Sequence, residues 1–173
     1  ETEIREWMDA NAAGFGGHPD EGGLESSLAR MVLERTLGVF DEGRIVGTTD
    51  SFVVDMKVPG SALPVGAVSS VAVMPTHRRR GMLTRMMDYQ LKDFHEREEP
   101  LSALYASEGL IYGRFGYGIA TQCDAWTVKQ HAPLAYRNER NGRVHFITPE
   151  EAWTAFPSVF DRVWQRRQGM MGR

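Results

Sequence analysis

The residues best suited to chemistry lie in one run, Ser69-Ser70-Val71-Ala72-Val73-Met74-Pro75-Thr76-His77-Arg78-Arg79-Arg80-Gly81-Met82-Leu83. It reads as an apolar strand, a turn and the start of a helix. A helix N-terminus presents N–H groups without intrahelical partners and about half a positive charge. Phosphate or pyrophosphate suits such an end. Gly81 has no Cβ, so backbone can approach a ligand there. Arg78, Arg79 and Arg80 add cationic charge at the mouth. The chemistry offered is binding of an anion of the phosphorylated-cofactor type. The same arginine run also reads as a solvated turn, and composition alone does not choose between the two. A nucleotide P-loop is excluded, because G-x4-G-K-[ST] does not occur. Gly113–Gly118 (GRFGYG) has the wrong spacing for a dinucleotide fingerprint.

The charge pattern turns over at the same place. Residues 1–77 hold 12 acidic and 5 basic residues, whereas residues 78–173 hold 11 and 15. The net charge is −3 and the pI about 6.0, which argues against general nucleic-acid binding. Cys123 is the only cysteine, so neither an intramolecular disulfide nor a thiol zinc cluster is possible. Nothing approaches 18 consecutive apolar residues, and the acidic start ETEIREWMDA is no signal peptide, so no membrane span and a cytoplasmic location are expected. With 173 residues, one full core is feasible and two complete domains are not. The lack of an initiator Met and the stop after a helical pattern give the expectation of a trimmed chain.

Elements must position these residues. Residues 3–13 and 24–36 read as helices, separated by a loop with five glycines and a proline over 14–23. Strands are expected over 36–40 and 44–58, joined by Asp41-Glu42-Gly43, and over 63–74. The clearest helix spans 79–98, with Leu83, Met86, Met87, Gln90, Leu91 and Phe94 at helical spacing and Pro100 beyond its end. A strand over 101–106, a short helix over 107–115 and a strand over 120–130 follow. A brief strand over 144–147 and a helix from Pro149 to about 168 close the chain. The order implies an α/β sheet with helices on its faces.

Two motifs carry a resemblance. Arg78-Arg79-Arg80-Gly81-Met82-Leu83 after Val71-Ala72-Val73 resembles motif A of the GNAT superfamily of N-acetyltransferases, Gln/Arg-x-x-Gly-x-Gly/Ala, with Leu83 departing from the small last residue. Ser107-Glu108-Gly109-Leu110-Ile111-Tyr112-Gly113-Arg114-Phe115-Gly116-Tyr117-Gly118 resembles motif B with its Tyr-x-x-Phe-Gly-Tyr/Phe ending. Together they resemble the Eis-like (enhanced intracellular survival) branch, sharply over 65–122 and loosely before 40.

The resemblance implies a GNAT fold, α/β (α+β), with a mixed, mostly antiparallel sheet and helices on both faces. It implies acetyl-CoA as cofactor and transfer of acetyl to a primary amine of an aminoglycoside, polyamine or protein lysine. A non-catalytic acyl-CoA-binding or assembly module is the alternative. It implies cofactor contacts from Val71, Ala72, Val73, Arg78, Arg79, Arg80, Gly81, Met82, Leu83, Ser107 and Arg114, an oxyanion donor near Val73, and Tyr112 as the acid that protonates the thiolate. No metal is implied. Tyr117 is expected to be structural, Glu108 to cap the helix at 109 or to face the cofactor, and Trp7 and Phe15 to line the acceptor pocket or the core. By the same comparison residues 1–135 are a first acetyltransferase domain whose first strand is absent. Residues 136–173 are then a linker plus the opening strand and helix of a second domain. The full-length protein is then a hexamer whose general base is a distant C-terminal carboxylate. One further expectation is that 144–147 patches the open sheet edge.

Overall fold

The computed structural model describes residues 2–18, 24–122, 124–127, 129, 143 and 145–172. Helix α1 (Thr2–Gly14) buries Trp7 and Ala10, one turn apart on one face. The Trp7 indole N–H donates to the Leu37 carbonyl at 2.7 Å, so the polar end of that ring is satisfied inside the core. The helix expected over 24–36 is interrupted. It becomes α2 (Leu24–Leu28), a loop and a 3-10 turn at Leu33–Arg35. Val32 is extended, which suits a β-branched side chain leading into a strand.

Strands β1 (Thr36–Asp41) and β2 (Arg44–Val58) are joined by Glu42 and Gly43, both at positive φ, the hairpin turn that the Asp/Gly pattern calls for. After a turn at Pro59-Gly60 comes β3 (Ser61–Val73). Helix α3 (Met82–Glu96) then crosses over to β4 (Leu101–Leu104). The sheet order is β1-β2-β3-β4, with β1, β2 and β3 antiparallel and β4 parallel to β3. The expected mixed, mostly antiparallel sheet is therefore present. Alternation along β2 assigns the two faces. Thr48 meets Asn11 of α1, whereas Thr49 meets Gln90 of α3. Helices cover both faces, and Met86, Met87, Gln90 and Phe94 form the buried stripe of α3.

Three further expectations fail. The helix over 107–115 is two 3-10 turns, Gly109–Ile111 and Gly113–Phe115. Gly109 and Gly113 sit in a segment of only nine residues, too weak and too short to hold α-helical turns. Residues 120–122 and 124–127 form no strand, and Trp126 is 84% exposed. Residues 145–147 likewise form no strand, and Phe146 is fully exposed, so the expected patch of the sheet edge is absent. Both segments have strand-type residues, but β preference expresses packing against neighbours, and these side chains have no covered face to enter. Cys123 and Val144 lie outside the described residues.

Helix α4 (Pro149–Trp164) opens with a capping box. The Glu151 N–H donates to the Thr148 hydroxyl at 3.3 Å, and the Glu151 carboxylate accepts from the Thr148 N–H at 2.8 Å. The chain after it returns to β2. The Lys57 N–H donates to the Met170 carbonyl at 3.0 Å and the Gly169 N–H to the Lys57 carbonyl at 2.7 Å.

One buried ion pair joins the chain ahead of β1 to the end of the crossover. The Arg35 guanidinium donates to both Glu99 carboxylate oxygens, at 2.7 and 2.6 Å, and to the Ser51 hydroxyl at 3.1 Å. It also lies 5.5 Å from the centre of the Phe94 ring. Both side chains are only 6% exposed. Removing one charge strands the other in a dry site, so Glu99→Gln should cost about 3–5 kcal/mol in urea unfolding. Glu96→Gln, which breaks the exposed pair with Lys92, should cost less than about 0.5 kcal/mol.

Candidate active site

The site begins with one extra residue in β3. On β2, Thr48 and Asp50 are two residues apart. Their partners on β3, Ala72 and Ser69, are three apart. The surplus is a β-bulge, and Ser70 takes φ 54 within it. That conformation is unfavourable for a residue with a Cβ, so the surroundings must hold it. The Ser70 carbonyl accepts from the Asn11 amide at 2.8 Å and from the Thr48 hydroxyl at 3.0 Å, and Asn11 also donates to Thr48 at 2.9 Å. Gly14 lets α1 approach β3 closely. A Cβ there would lie 2.6 Å from that of Ala72.

The pairing of β4 with β3 stops at Val68–Leu104. Beyond it, among the described residues, the edge of β3 from Ser69 to Val73 has no strand on the β4 side. The Met74 N–H donates to the Val46 carbonyl at 2.8 Å, across to β2. Strand alternation then points the Ala72 N–H the same way and turns the N–H groups of Val71 and Val73 to the open side.

This edge forms one wall of a cleft of about 1040 Å³. The wall below it is the N-terminus of α3. Gly81 sits there at φ +80, a conformation glycine adopts without strain. Its N-cap, Gly81, has no side chain to cap this end, and the first turn has no acidic residue. The first intrahelical bond is donated by the Arg85 N–H to the Gly81 carbonyl, so the amides of Met82, Leu83 and Thr84 are left for a ligand. The far wall is Leu104, Tyr105, Ser107, Ile111, Tyr112 and Arg114. Tyr112 is only 8% exposed, and its ring meets Tyr117 edge-on at 6.0 Å between centroids. Burial, with smaller contributions from Tyr117 and Glu108, pushes the Tyr112 phenol above its ordinary pKa.

A second pocket, of about 430 Å³, adjoins the cleft through Ser69 and Ser70. Trp7, Met8 and Asn11 of α1 line it, together with His18, Arg30, Met31, Asp50 and Phe52.

This arrangement has relatives. The profile of the acetyltransferase (GNAT) domain matches residues 1–120. The chain belongs to the GNAT acetyltransferase family. An uncharacterised N-acetyltransferase of Streptomyces avermitilis is 36% identical over 182 aligned positions, covering 100% of this chain and 43% of that protein. N-acetyltransferase Eis of Mycobacterium tuberculosis is 36% identical over 158 aligned positions, covering 84% of this chain and 39% of that protein. The crystal structure of Eis1 from Mycobacterium abscessus superposes with a TM-score of 0.61 at 40% identity, over 69% of this chain and 29% of that one. The chain thus spans less than half the length of these relatives.

Of the residues expected at the GNAT cofactor site, Val71, Ala72, Val73, Arg78, Arg79, Gly81, Met82, Leu83, Ser107, Tyr112 and Arg114 all line the cleft. Arg80 does not. Its guanidinium turns to Asp41 at 3.6 Å, because the αL conformation of Arg79 reverses the chain before it. Arg78 lines the cleft but also acts as a tie, directed at the Gly14 carbonyl (3.2 Å) and the Val73 carbonyl (3.5 Å). His77 lies 3.0 Å from Asp41, so the turn is anchored to the β1–β2 hairpin. Glu108 precedes the 3-10 turn without a side-chain cap bond, and it lines the cleft. Phe15 lines the cleft, and Trp7 belongs both to the core and to the second pocket. Neither Asn11 nor the bulge at Ser70 is foreseen by spacing or composition. Two serines inside an apolar strand were the only available sign.

Tyr117 has the structural position expected for it. The Ser102 hydroxyl donates its one proton to the Gly66 carbonyl at 2.9 Å, so in the 2.6 Å contact with Tyr117 it accepts. Tyr117→Phe should therefore cost about 1 kcal/mol in urea unfolding.

Proposed function

We propose that this chain is the acetyl-CoA-binding catalytic domain of an N-acetyltransferase that acts on a primary amine. The observation that carries the reading is the open edge of β3, which shares one cleft with the uncapped N-terminus of α3 and with Tyr112. The fit to CoA rests on chemistry. Three amides at a positive helix end, beside Arg79, suit a pyrophosphate. The strand-like N–H groups of Val71 and Val73 suit an amide-rich pantetheine arm laid along the edge like another strand. Acetyl-CoA, when bound, supplies the activated thioester.

The chain's own groups then divide the work. An edge N–H in the Val73 region stabilises the negative charge that develops on the thioester oxygen as the amine attacks. As the nitrogen–carbon bond forms and the carbon–sulfur bond breaks, Tyr112 donates its proton to the departing thiolate, and the proton lost by the attacking nitrogen passes to solvent, from which the phenol is reprotonated. Burial keeps the phenol in its acid form above the ordinary phenol range, near pH 10. Ser107 and Arg114 flank the cofactor from the far wall, and Arg114 packs 4.8 Å over the Phe115 ring. The second pocket, opening at Ser69 and Ser70, is the place for the acceptor.

The greater length of the relatives supports a larger protein. We place a first acetyltransferase domain at 1–135 and the opening of a second at 136–173. The apolar face of α4 supports this, since Trp153, Phe156 and Val159 stay exposed at 81%, 61% and 49%. A homohexamer and a cytoplasmic location complete the reading. Among the described residues no helix is long and apolar enough to cross a membrane.

The test uses the full-length protein with Tyr112→Phe. The kcat for acetyl transfer should fall by about 10²–10⁴-fold, while CoA affinity by calorimetry changes by less than about threefold. An unchanged kcat removes Tyr112 from the acid role. No CoA binding by the wild-type protein removes the whole reading. Because the phenol's pKa is raised, the wild-type profile of kcat/KM against pH should show no descending limb below about pH 10 from this group.

A further inference from the structure

Asp50 is the odd residue of this sheet. It sits in the middle of β2, on the face covered by α1, and lines the smaller pocket. Its carboxylate oxygen Oδ1 is buried and has no hydrogen-bond partner. It is the only such buried side-chain oxygen or nitrogen among the described residues. Unsatisfied groups of this kind are rare in folded proteins, because desolvation without a partner is costly. The cost registers on the group itself. Burial raises the carboxyl above its ordinary pKa, although the Ser70 and Ser69 hydroxyls pull the other way. Asp50 lines the pocket, so a cation that enters the pocket meets this carboxylate group.

The position of Asp50 fixes which cation. Asp50 pairs with Ser69. The open N–H groups of Val71 and Val73 lie two and four residues further along β3. At about 3.3 Å per residue, Asp50 stands about 7–13 Å from the place where the thioester would react. That is too far for the attacking nitrogen itself. It suits another nitrogen of the same molecule. Trp7, Met8 and Phe52 supply apolar wall to the same pocket. The other charged or titratable groups on this pocket among the described residues are His18 and Arg30, and both are exposed. The half-buried Asp50 is the only carboxylate on it among those residues.

We propose that Asp50 is the floor of a second ammonium subsite, which selects acceptors carrying at least two amino groups and holds one while another is acetylated. This rests on the amine-acetyltransferase reading given above. Asp50 is a specificity-determining residue here. It takes no part in bond making.

The test compares hexamethylenediamine with hexylamine as acceptors for the full-length protein. The two share a six-carbon chain and differ in the second ammonium. Wild type should show about tenfold higher kcat/KM for the diamine, carried by KM, the scale of one partly buried charge pair. Asp50→Asn, which keeps shape and loses charge, should bring the two amines within about twofold of each other. CoA affinity by calorimetry should stay at the wild-type value, which shows that the variant folds. Asp50→Glu should restore part of the preference. Equal use of both amines by wild type overturns the proposal, as does a preference that survives in Asp50→Asn. In both cases the acetyltransferase reading stands. CoA binding without acetylation of either amine by wild type overturns that reading, and the subsite with it.

Discussion

The hold on the Ser70 carbonyl is the constraint on which the rest depends. Asn11 and Thr48 both donate to it, and between them they keep β3 in its bulge. The bulge adds one residue without disturbing the pairing on either side, where Ala72 stays opposite Thr48 and Ser69 opposite Asp50. The chain bends there, and β4 stops at Leu104. What would have been interior sheet becomes a free edge, and the edge is the cleft wall. A regular β3 paired to its end with β4 would leave no N–H group for a ligand.

Other features converge on the same point. Gly14 allows α1 to lie against Ala72, which brings Asn11 within reach of Ser70. The turn after β3 is tied by Arg78 to α1 and by His77 to the β1–β2 hairpin, so the N-terminus of α3 stands in a fixed place beside the edge. The ion pair of Arg35 and Glu99 fastens the other end of the crossover. The arginine run that marks the change of charge along the chain thus has divided duties. Arg78 and Arg80 build the turn, and Arg79 is left at the cleft.

Much of this was legible in the residues. The α3 stripe of Met86, Met87, Gln90 and Phe94 has one period and one meaning, and the hairpin at Glu42-Gly43 follows from turn chemistry. The strand–turn–helix frame of the cleft was legible because a strand, a glycine and a helix start are local features. The failures are non-local. Residues 107–115 contain the right aromatic motif but too few helix formers to be a helix. The strand patterns near Trp126 and Phe146 require a partner surface, and periodicity cannot supply one. Asp50 was one acidic residue among twelve in the first half of the chain. Its meaning comes from Ser69 opposite and α1 above, and neither contact can be read from spacing.

The central claim is that the β3 edge itself receives the cofactor. Amide hydrogen exchange measured with and without CoA tests it at single residues. The account predicts that Val71 and Val73 exchange freely in the apo protein and become protected when CoA is bound, while Ala72, already turned to β2, changes little. CoA binding that leaves both valine amides unprotected would contradict it.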